Sequence, residues 1–256
     1  MVSTIRAELP RLTIRRGPSA LAVGRVTARV AVVAAVLIAG FVVYEFGVTS
    51  LVAQRAQGGL RDDLIAWETT NPVSHVTYVP AGHRPAPVTV PAGLPTPEPA
   101  EPSVSGMIAV SGAPLPRMAV GRIVIETAGV DWVFVEGVDS GALRSGVGHM
   151  PGTALPGEPG NAVLSGHRTT YGAPFLHLDR VEPGDLITVT SASGDHTYQV
   201  VEVRTVAPTD TSVTGQWSGA WLTLTTCTPA FSARDRLVVI SRLVAGPNAG
   251  VILAGS

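Results

Sequence analysis

The sequence predicts an all-β domain, an antiparallel barrel of short strands, preceded by a membrane-spanning helix and a proline-rich stalk. Three observations predict it. Short β-branched runs separated by turn residues fill the C-terminal part of the chain, and no long helical periodicity interrupts them. Near the N-terminus an uncharged stretch, Val30 to Tyr44, follows a strongly basic arm. Between these regions prolines recur every few residues from Asn71 to Pro102, with few large apolar side chains.

The arm, residues 1–29, carries Arg6, Arg11, Arg15, Arg16, Arg25 and Arg29 against a single acid, Glu8. Val30 to Tyr44 is shorter than the ~20 apolar residues a bilayer core requires. The gap closes if Arg29 snorkels toward the headgroups and the span continues past Glu45 to Val52, which sets the anchor at 30–52. The excess of arginine places the N-terminus in the cytoplasm and the rest of the chain outside. A cleaved signal peptide is the competing reading, and the weak small-residue pattern around Ser50-Leu51-Val52-Ala53-Gln54 argues against it. In residues 53–70 a loose spacing of Leu60, Leu64 and Trp67 suggests a short helix. Residues 71–105 read as an extended linker that cannot bury a core. The catalytic barrel is expected over 106–248, with strands near Arg122–Glu126, Val130–Glu136, Asn161–Leu164, Asp185–Thr190, Thr197–Val206, Trp221–Cys227 and Leu237–Leu243, and residues 249–256 as a tail. Short helices are expected after Ser140 or near Phe175–Leu178.

The single cysteine, Cys227, ends the alternating run Leu222-Thr223-Leu224-Thr225-Thr226. Pro229 prevents the following loop from continuing the strand, and a second run opens at Arg236. The two runs read as antiparallel neighbours, with Cys227 and Arg236 facing each other across the loop mouth. A lone cysteine is more often a small buried hydrophobe than a nucleophile, and its place at a strand end beside an arginine shifts that balance. Of the six histidines, His167 stands out, because it lies where the run Ala162-Val163-Leu164 leaves the sheet. His75, His83, His149, His177 and His196 read as solvated or singly hydrogen-bonded imidazoles. Arg234 competes with Arg236 and has the same strand parity; it is assigned to a loop contact. Thr226, beside the nucleophile, and Tyr171, just after His167, are the candidate substrate contacts.

These residues resemble the sortase family. Thr223-Leu224-Thr225-Thr226-Cys227 is similar to the family's TLxTC signature, Gly166-His167 resembles its histidine motif, and Arg236 before Leu237-Val238-Val239 resembles its arginine, in the family's order. The flanking stretches Gly148–Thr153, Pro156–Asn161, Gly166–Phe175 and Phe231–Arg234 look most like class E sortases of high-GC Gram-positive bacteria, and the likeness covers roughly 118–245. The resemblance implies an eight-stranded barrel and a transpeptidase without metal or organic cofactor. In that scheme Cys227 attacks the Thr–Gly carbonyl of a Leu-Ala-x-Thr-Gly or Leu-Pro-x-Thr-Gly sorting signal on a surface protein, Arg236 stabilises the oxyanion, and His167 moves the proton. A peptidoglycan precursor or other amine then resolves the thioester. The chain departs from the family at Ile125-Glu126-Thr127-Ala128-Gly129, which keeps the glycine of an Ile-Pro-x-Ile-Gly strand and loses its proline.

Other classes fit less well. In papain-like enzymes the cysteine precedes the histidine; the Ser-x-Gly-Cys pattern of L,D-transpeptidases and the Asp-Pro-aromatic lid of pilin-polymerising sortases are missing. The net charge of −1, with no basic patch carrying interleaved aromatics, gives no reason to expect a nucleic-acid partner. A cysteine hydrolase or a different sortase class on the same barrel, and an idle membrane-tethered binding barrel, stand as alternatives.

Overall fold

The computed structural model describes residues 20–70, 72–79 and 105–254. The arm up to Ser19, with its first four arginines, the prolines at 85–102 and His83 lie outside the described residues.

The chain divides into two compact units, Met1–Tyr44 and Glu45–Ser256. The described part of the first is helical, within α1 (Ala20–Val42) and the start of a π-helical segment, Val43–Val48. Val30, Val36, Leu37 and Phe41 are all exposed, so this is a helix with an apolar surface. The helical run that begins at Thr27 is long and apolar enough to cross a membrane by length and composition.

In the second unit eight strands close a barrel: β3 (Ala119–Ile125), β4 (Val130–Glu136), β5 (Val147–His149), β6 (Gly160–Gly166), β7 (Leu186–Ser191), β8 (Gly194–Val206), β9 (Ala220–Thr228) and β10 (Asp235–Ala245). Around the barrel the order is β10-β8-β7-β3-β4-β5-β6-β9, and β9 pairs with β10 to close it. The expectation of a wholly antiparallel sheet is corrected here, because β4 runs parallel to β5 and β6 parallel to β9. The reason lies in the connections. A short helix, α3 (Ser140–Leu143), returns the chain from β4 to β5 in the same direction, and the long excursion through β7 and β8 returns it from β6 to β9. Alternation decides the interior: Leu164, Leu222, Leu224, Leu237, Val239 and Leu243 share one core with Ile123, Phe134, Ile187 and Tyr198.

Three peripheral pieces are fastened to this barrel by buried amides. The helix α2 (Thr49–Thr70) lays Ala53, Leu64 and Trp67 on it, and Gln57 satisfies both backbone groups of Val133: Oε1 accepts from the N–H at 2.8 Å, and Nε2 donates to the carbonyl at 2.9 Å. Thr49 and Ala53 are thus buried by the barrel unit, so the far end of the anchor expected at 30–52 is packed against protein. A two-stranded ribbon pairs β1 (Ser74–Tyr78) with β2 (Gly106–Val110), which makes the start of the expected linker a strand. Asn248 holds the ribbon by bonding both backbone groups of Ala109 at 2.7 Å. Residues 249–253, expected as part of a tail, form α4 (Ala249–Leu253) with Ile252 in the core. Asn161, the third amide, secures the β8–β9 connection, as described next.

Candidate active site

Strand parity sorts the outer wall of the barrel. With Leu222 and Leu224 inside, Thr223, Thr225 and Cys227 face outward, and with Leu237 and Val239 inside, so do Arg236 and Val238. Arg236 is the direct antiparallel partner of Cys227. Opposed residues share a face with Cβ atoms about 5 Å apart. Strand β6 lies on the other side of β9 in parallel register, Ser165 opposite Thr225, and the Ser165 and Thr225 hydroxyls are 2.8 Å apart. His167 is the first residue past the end of β6. His167, Cys227 and Arg236 therefore line one cleft of about 340 Å³ on the outside of the barrel.

The far wall of this cleft is the β8–β9 connection, which contributes Pro208, Asp210, Thr211 and Thr214. Val213 of its 3₁₀ turn (Ser212–Thr214) packs on Val238 and Ile240 as a second, small core. Asn161 Nδ2 donates to the carbonyls of Val213 and Gly215 at 3.1 and 3.0 Å, while its Oδ1 accepts from Thr223 at 2.8 Å. One buried side chain thus ties the wall to the strand that carries the thiol.

Cys227 is partly exposed and its sulfur is in no disulfide. The imidazole of His167 makes no hydrogen bond among the described residues, and it lies 5.2 Å from the Tyr171 ring, tilted by 37°. Burial pushes its proton affinity down from the ordinary histidine value, so the neutral ring is favoured at neutral pH. Arg236 Nη1 donates to the carbonyls of Ala233 and Asp235 at 3.1 and 3.2 Å, and no carboxylate within 4 Å among the described residues neutralises it. Its charge is thus left for the cleft. Arg234 is exposed, pairs with Asp235 at 2.8 Å and does not line the cleft.

Of the two expected substrate contacts, Thr226 lines the cleft with Cys227 and Arg236 and Tyr171 does not. Thr226 is 3 % exposed and its hydroxyl donates to the Gly166 carbonyl at 2.8 Å, so its proton ties the ends of β9 and β6 together instead of reaching a ligand. Tyr171 flanks His167 but does not line the cleft; its N–H donates to Thr49 Oγ1 at 3.3 Å. His149, expected as a solvated imidazole, is buried on β5 with Nδ1 2.7 Å from Glu136 Oε2 and Nε2 2.9 Å from the Ala154 carbonyl. Both ring nitrogens are committed, which leaves His149 unavailable to a substrate. His196 is likewise buried, on β8, where Nε2 meets Ser193 and Ser191.

Sequence reasoning gave no role to Arg168. It is 7 % exposed, donates from Nη1 to Thr228 Oγ1 at 2.7 Å and pairs through Nη2 with Asp179 at 2.8 Å. One guanidinium therefore joins the residue after His167 to the residue after Cys227. An arginine adjoining the histidine was the only signal available in the sequence.

A sortase domain family model matches residues 123–244. Among curated proteins, the chain is 34 % identical to Sortase SrtE1 of Streptomyces coelicolor over 127 residues, 43 % of this chain and 36 % of that protein. It is 38 % identical to Sortase D of Bacillus subtilis over 112 residues, 43 % of this chain and 55 % of that protein. The chain thus spans between about a third and just over half of the length of these two relatives. Among solved structures it is similar to a Clostridium perfringens Sortase D5 transpeptidase, at 32 % identity and a TM-score of 0.49, covering 52 % of this chain and 83 % of that one.

Proposed function

Since the chain belongs to the sortase family, we propose that it is a membrane-anchored cysteine transpeptidase that joins proteins bearing a Leu-Ala-x-Thr-Gly or Leu-Pro-x-Thr-Gly signal to an amine of the cell envelope. The observation that carries the reading is the opposition of Cys227 and Arg236 in one cleft with His167. The anchor is the apolar helix, with the N-terminus inside and the barrel outside, and the acceptor class is a peptidoglycan-precursor amine.

The chemistry follows from the groups. The neutral imidazole of His167 takes the thiol proton, and the Cys227 sulfur attacks the Thr carbonyl carbon. Negative charge gathers on the carbonyl oxygen, where the Arg236 guanidinium donates to it. Collapse breaks the Thr–Gly bond as His167 returns the proton to the departing glycine nitrogen, leaving a thioester on Cys227. An incoming amine then attacks the thioester carbon, His167 accepts its proton and hands it to the departing sulfur, which leaves as a thiol once more. Atoms and protons balance without a cofactor.

Incubation of the full chain in detergent with either peptide, with and without an amine, tests this by mass spectrometry. A thioester adduct and a ligated product are expected, both lost in Cys227→Ala. Ligation that persists in His167→Ala or Arg236→Ala would remove those residues from the scheme. The second reading, a sortase of another class, is favoured by the 38 % identity to the Bacillus Sortase D, and preference between the two peptides separates them. A cysteine hydrolase would cleave the peptide without ligation at any amine concentration.

A further inference from the structure

The loop between β9 and β10 carries a bulky aromatic, Phe231, that is 73 % exposed. Its backbone has a φ of 64°, a left-handed conformation that costs a residue with a Cβ about 1–2 kcal/mol. The only ring stacked with it among the described residues is Phe46, edge-on with centroids 5.9 Å apart. Phe46 is itself exposed, as are Val48 at the end of the π-helical segment and Leu51 and Val52 at the start of α2, whose opposite face buries Thr49 and Ala53. The apolar surface ends abruptly along the helix, since the next outward residues are Gln54 and Arg55. This polarity profile, apolar and aromatic and then charged, is that of a segment leaving a bilayer through its interface.

Chain connectivity names the occupant. Phe46 follows Tyr44, the last residue of the unit with the apolar helix, by two positions, so it lies within about 7 Å of that residue whatever direction the helix takes. Phe231 touches Phe46, and Phe231 sits in the loop that joins Cys227 to Arg236. We propose that this loop is a membrane-contacting element: Phe231, with Phe46, Val48, Leu51 and Val52, rests in the headgroup region of the phospholipid leaflet, and the cleft opens at the bilayer surface. The proposal builds on the anchored reading given above. It assigns a reason to an aromatic side chain that is left mostly uncovered beside Phe46, and it brings the reacting sulfur to the plane in which a membrane-borne peptide or amine diffuses.

Site-directed spin labelling of the full chain in phosphatidylcholine–phosphatidylglycerol vesicles tests it. In a Cys227→Ala background the chain has no other thiol, so a nitroxide can be placed singly by Phe231→Cys, or by Leu51→Cys as a variant that leaves the loop intact. Two reference positions are Val36→Cys in the apolar helix and Asp195→Cys beside the β7–β8 turn, which lies at the opposite end of β8 from the Arg236 pairing. Labels at 231 and 51 are expected to relax more with oxygen and less with a water-soluble nickel chelate than the label at 195, giving oxygen-to-nickel ratios between those at 195 and 36. Nickel access at both 231 and 51, with 36 protected, overturns the inference and leaves the anchor standing. Nickel access at 36 overturns the anchored reading and the inference with it. Spin–spin broadening at 231 that disappears on dilution with unlabelled chain would instead assign the patch to a second copy and overturn the lipid contact.

Discussion

In the proposed scheme Cys227, His167 and Arg236 are ordinary residues that draw their reactivity from what surrounds them. Burial lowers the proton affinity of His167, so the neutral ring that accepts the thiol proton survives below the usual histidine pH. The acid limb of kcat/KM for peptide ligation is therefore expected to fall below pH 6.5, and a limb above neutrality would contradict the scheme. Arg168 shows what a sequence hides. Its bonds to Thr228 and to the half-exposed Asp179 tie the exit of β6 to the end of β9, and Arg168→Ala is expected to cost about 1–3 kcal/mol in urea unfolding and to lower kcat more than it raises KM. A pH-sensitive residue lies elsewhere, at His196, whose burial pushes its pKa down to about 4. Because the unfolded chain binds the proton more readily, this contribution is complete above the unfolded value of 6.5 and is lost as pH falls toward about 4. Wild type should then lose on the order of 3 kcal/mol between pH 7 and 4, and His196→Gln should flatten that slope. The thiol and the guanidinium were legible because alternation and a proline specify a strand pair with fixed opposition. His149 was misjudged because the partners of an imidazole come from distant parts of the chain, here Glu136 and Ala154, which no local pattern reveals.

At the scale of elements, the strands with several β-branched residues were readable, Val130–Glu136 to the residue. Strand β5 was not, since three residues containing a glycine carry no period. The parallel pairing of β6 with β9 was equally hidden, because direction depends on how the chain returns. Ribbon strands β1 and β2 have an alternation too short to stand out beside the prolines. What fastens the periphery is also invisible locally: Gln57, Asn161 and Asn248 are polar residues that read as surface and are buried, each accepting and donating at once. Asn161→Ala leaves two carbonyls and the Thr223 hydroxyl without their partner. It is expected to raise KM for the peptide several-fold with little change in kcat, checked by steady-state ligation, because the wall of the cleft loosens while the reacting groups stay in register.

For the molecule as a whole, the barrel unit begins before the strands do. Leu64 and Trp67 of α2 belong to the same core as the barrel interior, so a chain starting at residue 105 exposes the surface they cover. Such a fragment is expected to melt well below the full chain and to aggregate, as thermal scanning with light scattering would show; equal melting would mean that α2 is dispensable. Composition separated an apolar helix from a strand-rich region, and it set the far end of the expected anchor inside a helix whose buried face belongs to the barrel. Placing the reacting groups on the outer wall has a further result. The interior of the barrel is filled, with Leu64 and Trp67 of α2 completing it, whereas the wall between β8 and β9 meets the rest through Val213, Trp217, Gln216 and Asn161. If the proposed function holds, mutations at Pro208, Asp210, Thr211 or Thr214, which line the cleft outside every strand, are expected to redraw peptide preference without disturbing a single strand pairing, so a descendant of this chain would acquire a new recognition sequence while inheriting the same reacting groups.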